Sequence, residues 1–226
     1  MMEGQAVFIV LAIAVAAVVM ICGYYAAAQR RKELAAWARS RGFDFYPGKD
    51  GMLDERFGRF GCLCRGRSRY GYNRILGDWE GRELLAFDYR YVTGSGKNQQ
   101  THRFSAVVLQ SRVPLKPLSL RPEGFFDKVT EFFGVDDIDF ESAEFSRQFY
   151  VKSPDRRWAY DVIHQRAMDF LLRMPRFSIQ FDLMHVIAWR DRRFSPQDFE
   201  RAAEVIAGLL DQLPEYVVRR QTGREC

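Results

Sequence analysis

Histidine and cysteine are scarce: the 226 residues hold three histidines and four cysteines. His102, His164 and His185 lie on separate segments, and no two have the spacing of metal ligands. Cys22 lies in an apolar run and Cys226 is the last residue, while Cys62 and Cys64 are two apart. That spacing disfavours an ordinary disulfide, and no paired framework of the kind secreted domains use is present. Cys62 and Cys64 read as two thiols on a strand. There is no G-x-S-x-G elbow, no internal repeat and no low-complexity tract. No lysine or arginine precedes Arg30. The sequence therefore offers no catalytic, cofactor-binding or metal site, and no cofactor is expected.

What is present begins with the run Ala6 to Ala28, which carries no charge. A bilayer-spanning helix needs about 20 such residues. A cleaved signal peptide would want a basic start and a shorter apolar core, whereas this chain starts Met-Met-Glu-Gly-Gln. Ala26-Ala27-Ala28 would suit a signal peptidase, so that alternative stays open. A lipoprotein site at Cys22 is disfavoured by Met20 and Ile21, where small residues are wanted. Arg30, Arg31 and Lys32 follow the run. Because positive flanks stay cytoplasmic, the N-terminus is expected outside and the remainder in the cytoplasm of a bacterial cell, as a single-pass inner-membrane protein. The three basic residues are also candidates for contact with anionic lipid.

The span should not stop at the membrane. Residues 26–41 are rich in helix formers, Leu34, Trp37 and Ala38 share one face, and Gly42 suits the position just past a helix end. One helix over 6–41 is expected, with Trp37 docking it on the domain. Residues 42–121 then turn β-rich. Gly77 and Glu80-Gly81-Arg82 punctuate strand-like runs, and Phe87, Tyr89 and Tyr91 alternate with Asp88 and Arg90. The proline-punctuated stretch 113–123 is expected to hold only a short edge strand.

Residues 122–226 alternate helix and strand. A helix is expected over 124–134, another over 155–174 with His164 as a boundary residue, and a hairpin over 176–190 turning near Asp182 to Met184. The last helix has the clearest start: Ser195 caps, Pro196 follows, and Asp198 sits three after the cap. The whole predicts an α+β fold: a transmembrane and stalk helix (1–41), a mostly antiparallel β-rich region (42–121), and a helix–hairpin–helix region (122–226), the last two packed as one unit.

Gly94-Ser95-Gly96-Lys97 looks like part of a phosphate-binding loop. That motif wants glycine at 91, Ser or Thr at 98 and a following helix. The chain has Tyr91, Asn98 and a strand-like run. The loop reads as a hairpin turn, with no nucleotide expected there. Asp137, Asp139 and Glu141 could face a cation, but the segment lacks the glycine and glutamate of an EF-hand. Arg65, Arg67, Arg69 and Arg74, interleaved with Tyr70 and Tyr72, form the best candidate for an anion-facing surface, against the alternative of a solvated strand. The net charge of +5 does not by itself argue for nucleic acid.

Four stretches, FDYRYVTGSGKNQQTHR, LSLRPEGFFDKV, DIDFESAEFSRQFYV and the closing helical region, together resemble an uncharacterised family of bacterial single-span membrane proteins with a soluble α+β domain. The resemblance covers most of the chain and implies a bacterial membrane protein. It carries no activity, and it places the loop 94–100 within a family hallmark, which leaves a recognition role open beside the turn. Three functions follow as expectations. The first is a cytoplasmic module that binds an unidentified protein partner. The second is a membrane-tethered enzyme, hydrolase-like, using His102, Asp88 and the acidic segment 137–141. The third is a module that docks on anionic lipid.

Overall fold

The computed structural model describes residues 2–123 and 137–223, with the side chains of 2–9 and 12 outside that description. The helix expected over 124–134 lies outside the described residues. Helix α1 runs unbroken over Met2–Ser40. By length and composition it can cross a membrane, and its apolar segment is not buried in the protein. It ends as the sequence predicts. Gly42 takes φ +70, its N–H bonds to Arg39 O, and Phe43 N–H reaches back to Ala38 O at 2.8 Å. This double closure satisfies the last carbonyls of the helix, and Phe43 packs edge-on against Trp37.

The domain is built on an antiparallel sheet: β1 (Asp44–Tyr46), β2 (Arg67–Trp79), β3 (Arg82–Thr93), β4 (Gln100–Pro122), β5 (Phe149–Lys152) and β6 (Ser178–Arg190). The order is β1-β2-β3-β4-β5, and β6 pairs with β4 along its other edge. Strands β2 and β3 turn through Glu80 and Gly81, both with positive φ, as a two-residue hairpin requires. Strands β3 and β4 are joined by the Gly94–Gly96 loop, closed by the pair Thr93↔Gln100, with both glycines at positive φ. That segment is a hairpin connection.

Alternation along β3 divides the core. Phe87, Tyr89 and Tyr91 join Leu53, Phe60, Leu63, Phe104 and Trp189 on one face, under the segment that contains α2 (Leu53–Arg56). Ala86, Val107 and Leu109 join Leu34, Trp37 and Ala38 of α1 on the other. There α3 (Ala143–Ser146), α4 (Arg156–Val162), α5 (Gln165–Arg173), α6 (Pro196–Asp211) and α7 (Glu215–Gln221) complete the elements. Helix α6 has the capping box formed by Ser195 and Asp198, and it buries Phe199, Ala202, Ala203 and Ile206.

Four expectations need correction. Residues 113–122 are not a short edge strand but the far half of β4, paired with both β5 and β6. Pro114 and Pro117 fall within the two register shifts, Gln110/Leu115 and Leu115/Leu118, where no ladder N–H is required. Residues 178–190 form one strand rather than a hairpin; near 183 the strand runs opposite a bulge in β4, with Leu183 at φ +46. The helix expected over 155–174 is two helices: Asp155 caps α4, and His164 caps α5 through Nδ1, which accepts from Ala167 N–H. Cys62 and Cys64 lie not on a strand but in and just after a 3₁₀ turn, Gly61–Leu63, with Cys62 buried.

Candidate functional site

The junction of helix and domain is built around one buried carboxylate. Asp88 points to the α1 face of β3 and is fully buried. Arg30 approaches from α1 and binds it with both ends of the guanidinium fork: Nε donates to Oδ2 at 2.7 Å and the terminal nitrogen to Oδ1 at 2.5 Å. Ser105 Oγ donates to Oδ1 at 2.5 Å, and Asn73 Nδ2 donates to Oδ2 at 3.0 Å. Both oxygens thus take two donors. A buried ion pair holds together only with this kind of completion, because two charges have left water. Burial opposes the charge on Arg30, but the hydrogen bond and charge of Asp88 outweigh it and push the guanidinium further up.

The local sequence explains how each partner is aimed. Asn73 sits at φ +50 within a register shift of β2, a conformation Asn tolerates better than most residues. The bulge turns its side chain inward. Ser105 lies opposite Asp88 in the β3–β4 ladder. Its Oγ also accepts from Phe194 N–H at 3.0 Å, while Phe194 O accepts from Arg30 at 2.9 Å. The chain just before α6 is thereby stitched to the same network. Below it, Trp37 stacks on Phe199 at 5.5 Å and donates its indole N–H to Glu200 at 2.7 Å, and Arg41 pairs with Glu200 as well.

Above the network opens a pocket of about 230 Å³. Its cations come from three parts of the chain: Arg30 and Arg31 from α1, Lys49 from the loop after β1, and Arg193 from the loop before α6. Tyr70, Tyr72 and Asn73 of β2 also line it, and among the described residues no acidic side chain does. Lys49 is held over the Tyr70 ring at 5.0 Å; its loop is fixed by a two-way backbone bridge between Asp50 and Gly71. Burial and the Asp88 charge push the Tyr72 phenol up, against the pull of Arg193, Arg103 and Arg30, which keeps it a neutral hydroxyl donor.

Apart from Arg31, which also lines the pocket, the other residues singled out in the sequence lie elsewhere. Arg31 and Lys32 are exposed on α1, Arg31 reaching only Ala27 O. Arg65 pairs with Asp191, Arg69 with Asp54 and Arg74 with Asp50, while Arg67 bonds to Gly94 O and Gln99. His102 stacks on Tyr91 at 4.6 Å, on the face of the sheet opposite Asp88, and bonds to Thr93. Asp137 accepts from the backbone of Ile138 and Val151. Among the described residues no three His, Cys, Asp or Glu side chains are grouped to hold a metal. The groups named for an enzyme, His102, Asp88 and 137–141, are therefore not drawn into one cleft. Lys49 and Arg193 had no signal in sequence: each is one basic residue in a loop, and only the fold brings them together.

The fold and the junction define an α+β domain carried on a long apolar helix. No protein-family model matches the chain, and no curated protein matches it in sequence. Among solved structures it is similar to the mycobacterial trehalose monomycolate transport factor A, TtfA. The TM-score is 0.60 at 15% identity, over 81% of this chain and 96% of that one. The likeness is one of fold.

Proposed function

We propose that this chain is a membrane-anchored interaction module, whose domain is held at the cytoplasmic surface of a bacterial membrane to engage a protein partner. The observation that carries this reading is the continuity of α1. One helix supplies both the apolar span and three core residues, Leu34, Trp37 and Ala38, and is locked to the sheet by Arg30 and Asp88. A domain fixed in this way presents a defined surface at a defined height above the bilayer. The basic cluster after the span supports the cytoplasmic assignment. The fold it shares with a transport factor is consistent with a service role at a membrane.

The test is chemical cross-linking in native membranes, followed by purification of the full chain. A stoichiometric protein neighbour, retained when residues 2–25 are exchanged for an unrelated span, is expected. Recovery of the chain alone, together with turnover of ester or phosphoester substrates, would replace this reading with the enzyme. Protease added to spheroplasts should leave the domain intact; digestion from outside overturns the orientation.

A further inference from the structure

The pocket at the junction has a composition and a height that its structural role does not account for. The lock on Asp88 needs Arg30, Asn73 and Ser105. It does not need Arg31, Lys49, Arg193 or the hydroxyl of Tyr72. None of these three cations has a carboxylate partner among the described residues, and all are exposed. By contrast, Arg65, Arg69, Arg74, Arg190 and Arg192, on the neighbouring strands and loops, each pair with an aspartate. Arg30 is neutralised by Asp88, so the pocket keeps the charge of the other three.

Its height follows from the helix. Tyr24 and Tyr25 are exposed near the end of the apolar run, where aromatic residues mark a membrane interface. Ala27, Arg30 and Arg31 line the pocket two to six residues later, about 3–9 Å further along the axis at ~1.5 Å per residue. The headgroup layer on each side of a bilayer is roughly 5–8 Å thick. The pocket therefore lies at the level of lipid phosphates. We propose that it binds the phosphate of an anionic phospholipid from the leaflet on the domain's side. Arg31, Lys49 and Arg193 supply the charge, and the Tyr72 hydroxyl supplies a neutral donor. Arg30 acts as the wall that carries the site, not as its cation. The pocket is large enough for one headgroup, so the site takes a single lipid rather than a diffuse layer. The inference holds for either orientation of the span and does not rest on a protein partner.

The experiment is native mass spectrometry of the full chain, stripped in a neutral detergent and titrated with phosphatidylglycerol or phosphatidylcholine. The wild type is expected to retain one phosphatidylglycerol and to bind phosphatidylcholine at least tenfold more weakly. The double variant Lys49→Gln/Arg193→Gln should lose about tenfold in phosphatidylglycerol affinity. Both side chains are exposed, so its melting temperature should match the wild type. If that variant is unstable, Lys49→Gln alone should give a smaller loss of the same sign, and Arg219→Gln, far along the chain on α7, should give none. Equal binding of the two lipids, or an unchanged double variant, overturns the proposal. So does release of the lipid by millimolar inorganic phosphate, which would assign the pocket to a free anion.

Discussion

The two ends of α1 share one backbone and follow opposite rules. Between Val10 and Ile21 the large apolar side chains are 56–70% exposed, on every side of the helix. Between Arg30 and Ala38 a single stripe, Leu34, Trp37 and Ala38, is buried, and the exposed residues are Arg31, Lys32, Glu33 and the small Ala36. None of the described residues covers the first segment, whose length and composition suit a membrane. The second is stable through specific partners: Trp37 on Phe199, Arg30 on Asp88. Composition fixes the first, and complementarity across the fold fixes the second. A change of residue should therefore act differently at the two ends.

The largest effect is expected at Asp88. Asp88→Ala leaves Arg30 buried without its carboxylate, and removing one partner of such a pair costs about 3–5 kcal/mol. Denaturant melts of the full chain in detergent should show it, and Arg30→Met should recover part of the loss in the double variant. If Asp88→Ala were silent, the junction would not be held by this pair. At the other end, Val15→Arg should disfavour membrane insertion by about 2.5–3.5 kcal/mol and leave the domain's melting unchanged. The readout is the fraction recovered with membranes after a high-salt wash. A domain that also lost stability would show the two ends to be coupled.

A smaller effect is expected at Gly77. A Cβ there would lie 2.1 Å from the Phe43 ring, the residue that closes α1. Gly77→Ala should cost about 1–3 kcal/mol, as overpacking does. Phe43→Leu in the same chain should relieve part of it. The smallest is Lys97→Ala in the exposed β3–β4 loop, expected to change stability by less than about 0.5 kcal/mol. ATP should not raise the melting temperature; a nucleotide-dependent rise lost in this variant would make the loop a phosphate cradle.

The legible parts of the sequence were those whose causes are local. The Ser195–Asp198 cap, the Gly42 closure and the alternation at Phe87, Tyr89 and Tyr91 each depend on a few adjacent residues. The misread parts were those where a local signal was overruled at a distance. Prolines at 114 and 117 argue against an inner strand until β6 offers register shifts that leave them unpaired. Asp182 to Met184 suggests a turn, and Leu183 does take a positive φ, but the strand runs on because it faces a bulge in β4. The candidate site was half visible. Arg30 and Arg31 stood out beside the span, yet Arg30 is turned inward by a carboxylate 58 residues away. Lys49 and Arg193 join them only after the sheet has formed.

The absence of any linker between Tyr25 and the core stripe has a further consequence. In a continuous α-helix each residue advances the azimuth by about 100° and the height by ~1.5 Å. One residue inserted between Tyr25 and Ala27 would swing the whole domain a little over a quarter of a turn about the helix axis. Seven would return it almost to its starting bearing while lifting it about 10 Å. Which face of the domain points in a given direction relative to the apolar segment is thus counted out, residue by residue, in the length of the helix.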